Sequence, residues 1–457
     1  MNNYKKLAIS SPDDLIFGTA PKPVTCGFGL TIGGGNVFPE LNFTLPTISI
    51  RDETWPKVRA HYEEIADAII DRAKALSPPG LVVEFEQLPE MTQRSQWGAE
   101  ITAILHEGLR RLYEITGIPS ALRVTVIDLR DKNRPPVLRE GEEWDQMREA
   151  FICAAQAGAD ILSIESVGGK EVHDEALLFG DLQGMITALG VLACRDMAWL
   201  WEQIVRISCE YGVIPGGDTA CGFANTAMQL AGKGMLPSVL AALDRAASAP
   251  RSLVAFEQGA VGPSKDCAYE GPILKAIAGC PISMEGKSSS CAHFSPLGNI
   301  AAAAADLWSN ESVQNIRLLS GSAPEAFLEL LTYDCRLFNA ASEAKQALTL
   351  RDCMVTSDVP HSVEALMLEP NVVLQLSNAI IRETNGYCRT VAAVRAACGA
   401  IHKALANRVF ALDKREGQWF DRLCRAADSL PDSETDALAA LTEQYGHLIR
   451  LESYAIV

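Results

Sequence analysis

The strongest constraint on the fold of this 457-residue chain is the alternation of short apolar runs with longer helical patterns. Apolar runs rich in β-branched residues are typical of buried strands, and helices between them favour parallel pairing. Eight runs are predicted as strands: 81–85, 122–127, 161–164, 212–215, 253–256, 281–284, 313–319 and 352–356. This pattern predicts an α/β fold, a (β/α)8 TIM barrel, with a doubly wound open sheet as the competing architecture.

The segments on either side of this alternation have a different character. Residues 1–80 are expected as an N-terminal extension, within which the glycine-rich stretch 26–36 loosely resembles a phosphate-binding loop. That stretch lacks a Lys-Ser/Thr ending and no helical pattern follows it, so we interpret its glycines as allowing close backbone approach. Residues 81–360 would form the barrel. Residues 361–457 are mostly helical in pattern and would pack on the barrel or at a subunit interface.

Composition excludes several classes of protein. The net charge of −17 argues against a nucleic-acid partner, because a phosphate backbone requires a basic surface. The sequence shows neither the apolar core of a signal peptide nor an uninterrupted run that could cross a bilayer. Thirteen cysteines without a repeated C-x-x-C spacing indicate reduced thiols. We therefore expect a cytoplasmic protein with neither nucleic acid nor a membrane as partner.

Three predicted strands are followed by a residue that can bind zinc. Glu165 comes directly after the run 161–164, Cys221 follows the next run, and Cys267 follows the run after that. Side chains at the C-terminal ends of neighbouring barrel strands converge on one mouth. Two thiolates and one carboxylate would fill three of zinc's four tetrahedral positions and leave one open, as in catalytic zinc sites.

The two cysteines also share a local setting. Each follows an aspartate and precedes a helical pattern, where the helix dipole favours a thiolate over a thiol. The alternative interpretation is a pair of small buried thiols, which is what most free cysteines are. Cys291 and His293 are rival ligands after the sixth run, although a lone Cys-x-His pair more often serves packing.

Other ionisable residues near the strand ends could serve the chemistry. Asp181, Asp218 and Asp266 are candidates for handling a proton, although the last two could simply cap helices. His173 could line the barrel mouth, but a satisfied surface histidine is the favoured interpretation.

These motifs resemble the zinc-containing subunit of methanol:corrinoid methyltransferase over essentially the full length of the chain. The specific matches are Ser-Ile-Glu-Ser-Val-Gly-Gly-Lys-Glu at 163–171, Gly-Asp-Thr-Ala-Cys at 217–221 and Gly-Pro-Ser-Lys-Asp-Cys at 262–267, with weaker matches at 15–18 and 27–33. The resemblance implies a (β/α)8 barrel in which a glutamate and two cysteines bind zinc. It places those roles on Glu165, Cys221 and Cys267.

The resemblance further implies transfer of the methyl group of methanol to the Co(I) of a corrinoid carried by a partner protein. Zinc would stabilise the charge that develops on the methanol oxygen as the C–O bond breaks. Other hypotheses are a zinc barrel enzyme with a thiol acceptor or a methoxylated aromatic donor, a scaffold whose structural zinc is closed by His293, and a metal-free core. We expect a homodimer, since closed two-fold assemblies are the commonest.

Overall fold

The computed structural model describes residues 4–43, 48–267, 269–286, 297–312, 317–318 and 321–456. Its strands are β1 Thr19–Cys26, β2 Leu30–Gly34, β3 Phe38–Phe43, β4 Leu81–Glu86, β5 Ser120–Val126, β6 Ile161–Ile164, β7 Ile214–Pro215, β8 Ser283–Glu285, β9 Leu307–Ser312, β10 Arg317–Leu318 and β11 Gly321–Ser322.

The α-helices lie mostly between these strands and after the last of them. They are α1 Trp55–Leu76, α2 Pro89–Gln93, α3 Ser95–Thr116, α4 Glu142–Gln156, α5 Lys170–Phe179, α6 Leu182–Thr187, α7 Cys194–Tyr211, α8 Thr226–Gly232, α9 Ser238–Gln258, α10 Gly271–Ala278, α11 Leu297–Ala302, α12 Ala323–Glu343, α13 Ala347–Asp358, α14 Val363–Leu366, α15 Pro370–Ile381, α16 Gly386–Ala406, α17 Lys414–Asp428 and α18 Glu434–Tyr445. Shorter 3-10 segments are Pro12–Asp14, Arg130–Lys132, Val359–His361, Gly446–Leu448 and Leu451–Tyr454, and π-helical turns are Ala188–Ala193 and Cys221–Asn225.

A seven-stranded parallel sheet runs in the order β7-β6-β5-β4-β3-β9-β8 and curls on itself. The segment 261–264, which follows α9, bridges its two ends. The N–H of Val261 donates to the Pro215 carbonyl at 3.0 Å, and the N–H of Ser264 donates to the Pro281 carbonyl at 3.4 Å. The ring of parallel segments is thereby closed, and the predicted TIM barrel is confirmed.

Closure depends on two glycines after β7. A Cβ on Gly216 would lie 2.7 Å from the Ile161 side chain, and a Cβ on Gly217 would lie 2.9 Å from the Ser264 Cα. Any side chain at either position would push apart the segments on both sides of β7. The Pro-Gly-Gly stretch is therefore a packing requirement of the barrel.

Two of the strand predictions are wrong. Residues 253–256 lie within helix α9 and residues 352–356 lie within helix α13. Helix α9 is buried along almost its whole length, and 253–256 is a run of four apolar residues within it, which periodicity alone cannot distinguish from a buried strand. The predicted strand 313–319 lies mostly outside the described residues, and β10 is the part of it that is described.

Two barrel strands were not predicted because several of their buried residues are polar. Strand β3 pairs in parallel with β4 and with β9, although it lies in the segment assigned to the N-terminal extension. Its residues Glu40 and Asn42 are buried, as is Ser309 in β9. Polar residues inside a barrel interrupt the apolar pattern by which a strand is recognised.

The antiparallel hairpin β1–β2 closes the N-terminal end of the barrel. It contributes to an apolar cluster with the first inward residues of several barrel strands: Cys26, Leu30, Ile32, Phe38, Val82, Ala121, Ile161 and Leu307. Gly27 has a φ of +52°, and a Cβ there would lie 2.3 Å from the Ser120 carbonyl oxygen. The glycine-rich stretch thus serves close backbone approach, as predicted.

The C-terminal region is helical. Helix α16 packs against α9 and α15, and α17 packs against α9, so this region covers one side of the barrel. Among the helices in the described ranges, none is both long enough and apolar enough to cross a membrane.

Candidate active site

A buried lysine lies at the C-terminal mouth of the barrel among four carboxylates. The Nζ of Lys265 is 3.3 Å from Glu84, 3.7 Å from Glu86 and 3.3 Å from Glu165, and it also pairs with Asp266. These residues come from β4, from the end of β6 and from the segment after α9. One ammonium among four carboxylates leaves excess negative charge, so the cluster favours binding either a proton or a cation.

The carboxylates of this cluster differ in their affinity for protons. Burial raises the pKa of Glu86 to about 8, against the opposing charge of Lys265. Burial also raises the pKa of Glu165, which Lys265 again opposes. For Asp266, burial acts in the same direction, but the charge and hydrogen bond of Lys265 outweigh it and hold the pKa below its usual range. At neutral pH Asp266 is therefore ionised, whereas Glu86 can hold a proton.

A group of residues beside the lysine has the geometry of a metal site. Asp266, Cys267 and Glu285 are buried, and each offers a ligand atom within 4.8 Å of the others. The thiol of Cys267 donates to Glu285 Oε2 at 3.0 Å. A thiolate together with carboxylate oxygens is a donor set that zinc accepts, so the chemistry of these residues fits that metal.

Cys221 lies next to this group. The Nδ2 of Asn225 is 3.6 Å from Cys221 Sγ and 2.9 Å from the Cys267 carbonyl oxygen. Burial raises the pKa of Tyr269 well above its usual range, and the negative charges of Glu285, Cys267 and Cys221 add to this effect. Both cysteines and Glu285 therefore lie near enough to Tyr269 for their charges to act on it.

The three residues expected to bind zinc follow adjacent segments of the barrel. Glu165 follows β6, Cys221 follows β7 and Cys267 follows the segment 261–264. Strand β3 is the first strand of the barrel and was not predicted. Each of the three residues therefore follows a barrel segment that is one later in the count than the sequence indicated. Cys221 and Cys267 lie together at Asn225, whereas the described ion pair of Glu165 is with Lys265.

The three candidate aspartates occupy different places. Asp266 belongs to the cluster of carboxylates around Lys265 at the C-terminal mouth of the barrel. Asp218 is buried and accepts hydrogen bonds from Trp201 Nε1 at 3.1 Å and Arg251 at 3.0 Å, which hold the loop after β7. Asp181 accepts from the Tyr445 hydroxyl at 2.8 Å and so faces the C-terminal helices. The rival ligands Cys291 and His293 lie outside the described residues.

Sequence reasoning missed several charged residues of the mouth. Glu84 and Glu86 alternate with Val83 and Phe85 in β4, and such alternation of charged with apolar residues is a signal of charge inside a barrel. Glu285 is the last residue of β8, a strand-end carboxylate comparable to Glu165. Their convergence requires the closed barrel and is visible only in the structure.

His173 is buried rather than exposed, so its interpretation as a surface histidine is wrong. Its Nε2 lies 2.9 Å from Asp244 Oδ1, and its ring packs edge-on against Phe223, two residues after Cys221. Burial lowers the pKa of His173, but the carboxylates of Asp244 and Asp174 outweigh it and raise the pKa to about 9. His173 and Asp244 thus form a buried ion pair behind the cysteine loop.

This ion pair predicts a specific dependence of stability on pH. The folded-state pKa of His173 lies above the value of about 6.5 for an unfolded histidine. The contribution of protonated His173 is therefore complete below about pH 6.5 and is lost as the pH rises through about 9. At about 1.36 kcal/mol per pKa unit, we expect a loss on the order of 3 kcal/mol.

Urea unfolding of the wild type and of Asp244→Asn at pH 6.5 and pH 10 would measure this loss. The difference in unfolding free energy between the two proteins should shrink at pH 10, because other titrating groups are common to both. An equal difference at both pH values would contradict the ion pair.

Comparisons with known proteins agree with the barrel fold. The family model described as methanol-cobalamin methyltransferase B subunit matches residues 1–454. A methanol–corrinoid protein co-methyltransferase of Methanosarcina barkeri (strain Fusaro / DSM 804) is 37% identical over 434 residues, covering 94% of this chain and 93% of the relative. A chain in the crystal structure of the methanol:cobalamin methyltransferase complex MtaBC from Methanosarcina barkeri has a TM-score of 0.94 at 35% identity, with 99% of both chains covered. The chain therefore belongs to the methanol-cobalamin methyltransferase B subunit family and is a methyltransferase.

Proposed function

We propose that this protein transfers the methyl group of methanol to the Co(I) of a corrinoid carried by a partner protein, with zinc bound at the barrel mouth. The observation that carries this proposal is the convergence of two cysteines and a carboxylate cluster at the C-terminal mouth. The names of the relatives supply methanol and the corrinoid, and the related crystal structure is itself a complex.

Glu165, Cys221 and Cys267 would hold the zinc. Bound zinc would act as a Lewis acid that stabilises negative charge on the methanol oxygen. Glu285 accepts the hydrogen bond of the Cys267 thiol, so it is placed to receive that proton when the thiolate forms. Lys265 contacts Glu165 and Asp266, and its ammonium offsets the charge that these carboxylates bring to the mouth.

Proton handling is assigned to the same cluster. Hydroxide is a poor leaving group, so a nearby acid should keep or return a proton to the methanol oxygen. Asp266 is ionised at neutral pH and would accept a hydrogen bond, Asp181 faces the C-terminal helices, and Asp218 accepts from Trp201, Arg251 and the N–H of Ser166 beside Glu165. Glu86, with a pKa of about 8, can hold the proton at this mouth.

The corrinoid must come from a partner, because a thiol or carboxylate of this chain is too weak a nucleophile to take a methyl group from an unactivated alcohol. A docked corrinoid protein would place its cobalt over the mouth and so gain the advantage of proximity. We further propose that the protein is a cytoplasmic homodimer. Light scattering should then give twice the chain mass of 49.3 kDa.

The test is methylation of the cognate Co(I) corrinoid protein, followed by the absorbance change of the corrinoid. We expect methanol to react faster than vanillate or monomethylamine. Ethanol should react more slowly, because an extra methylene in a tight pocket costs about 1–3 kcal/mol. Faster reaction of vanillate would overturn the choice of substrate. Turnover by this chain alone with a thiol acceptor would overturn the role of the corrinoid.

A further inference from the structure

Asn225 links the two cysteines of the mouth. It is the last residue of the π-helical turn Cys221–Asn225 and its exposed fraction is 2%. One amide nitrogen, Nδ2, lies 3.6 Å from Cys221 Sγ and 2.9 Å from the Cys267 carbonyl oxygen. Because an amide nitrogen carries two N–H donors, both contacts can form at once. The two residues it joins come from different segments of the barrel.

The backbone of Cys267 needs such support. Its φ is +56°, in the left-handed region that residues with a side chain rarely adopt. Its carbonyl oxygen accepts hydrogen bonds from Asn225 Nδ2 and from the N–H of Tyr269, the latter at 3.0 Å. Strained conformations of this kind persist where surrounding contacts enforce them and concentrate at functional sites. The direction of the Cys267 side chain therefore depends on Asn225.

The contact with Cys221 acts on its sulfur. An N–H directed at a thiolate stabilises its negative charge and reduces the electron density that the sulfur donates to a metal. Outer partners of this kind orient metal ligands and tune the metal. The turn Cys221–Asn225 places the donor four residues after its acceptor, so a change at Asn225 acts on the Cys221 sulfur directly and on Cys267 through its backbone carbonyl.

We propose that Asn225 is a positioning residue that sets the geometry of Cys221 and Cys267 together and moderates the charge on the Cys221 sulfur. This inference rests on the proposed function, because it assumes that both thiolates bind zinc. It predicts that Asn225 controls metal affinity and the electronic character of the site without contacting methanol or the corrinoid.

The experiment compares Asn225→Asp and Asn225→Leu with the wild type. Both variants keep the size of the side chain and remove its N–H donors, and the aspartate adds a negative charge beside the thiolate. We expect zinc affinity, measured by competition with a chelator, to fall 10- to 100-fold in both, because the loss of ligand positioning outweighs the gain in donor strength of the Cys221 sulfur. Thr226→Val is the matched control, because the Thr226 hydroxyl donates to the Gly222 carbonyl in the same turn. It should keep the affinity of the wild type.

A second measurement separates positioning from simple loss of folding. With Co(II) in place of zinc, the thiolate-to-cobalt absorption band should move to longer wavelength in Asn225→Leu, because a sulfur without its hydrogen bond is the better electron donor. Wild-type zinc affinity and an unmoved band in folded Asn225→Leu would overturn the inference. If instead Cys221→Ala and Cys267→Ala, with Asn225 intact, both kept the zinc affinity of the wild type, the proposed zinc site itself would fail. That result is distinguishable from a failure of the inference on Asn225.

Discussion

Cys267→Ala and Cys221→Ala are each expected to lose zinc and methyl-transfer activity together. Few ligands share the metal, and loss of a supporting outer contact alone typically costs 10- to 100-fold in affinity. Removal of a direct thiolate should therefore weaken zinc binding by more than about 100-fold.

Zinc content by metal analysis and corrinoid methylation should be measured on the same preparations. Cys280→Ala is the matched control, because Cys280 is also a buried free thiol but does not belong to the metal-capable group of the described residues. Cys291→Ala should likewise keep its metal. Full zinc occupancy in both Cys221→Ala and Cys267→Ala would show that the ligand assignment is wrong.

Lys265→Met is expected to lower the unfolding free energy by about 3–5 kcal/mol, since removal of one partner from a buried ionic cluster leaves the opposite charges uncompensated. The ammonium contacts Glu84, Glu86, Glu165 and Asp266, and its exposed fraction is 1%. Protonation of the remaining carboxylates would relieve part of the repulsion. The deficit should therefore be smaller at low pH.

Urea unfolding with two control variants tests this prediction. Lys74→Met removes a partly exposed lysine that pairs with Asp71 at 3.1 Å, and it should cost at most about 1 kcal/mol. Glu84→Gln in the Lys265→Met background should restore part of the lost stability, because it removes one uncompensated charge. A loss below about 1 kcal/mol in Lys265→Met would contradict the electrostatic role of the lysine.

The errors in strand prediction, and the correct placement of Glu165 and Cys221 after strands, both follow from what local patterning encodes. Glu165 and Cys221 each follow a strand. Their order along the chain does not depend on whether the strand before them is counted correctly within the barrel. Helix α9 is buried on nearly every side and strand β3 has buried polar residues, so neither shows the usual contrast between a buried apolar face and an exposed polar face. The position of a residue after a strand end was therefore predictable from the sequence. Whether a fully buried segment is a helix, or a segment with buried polar residues is a strand, was not.

The sequence by itself determined the barrel class and the positions of Glu165 and Cys221 after strands, because local patterning and chain order encode both, whereas the run predicted as the strand before Cys267 is part of helix α9. Only the tertiary structure decided that Lys265 lies among four carboxylates and that His173 is buried against Asp244. The tertiary structure alone also placed Asn225 between the two cysteines. These contacts join residues far apart in the chain, and the pKa of each group depends on burial and neighbouring charge, which exist only once the barrel has closed.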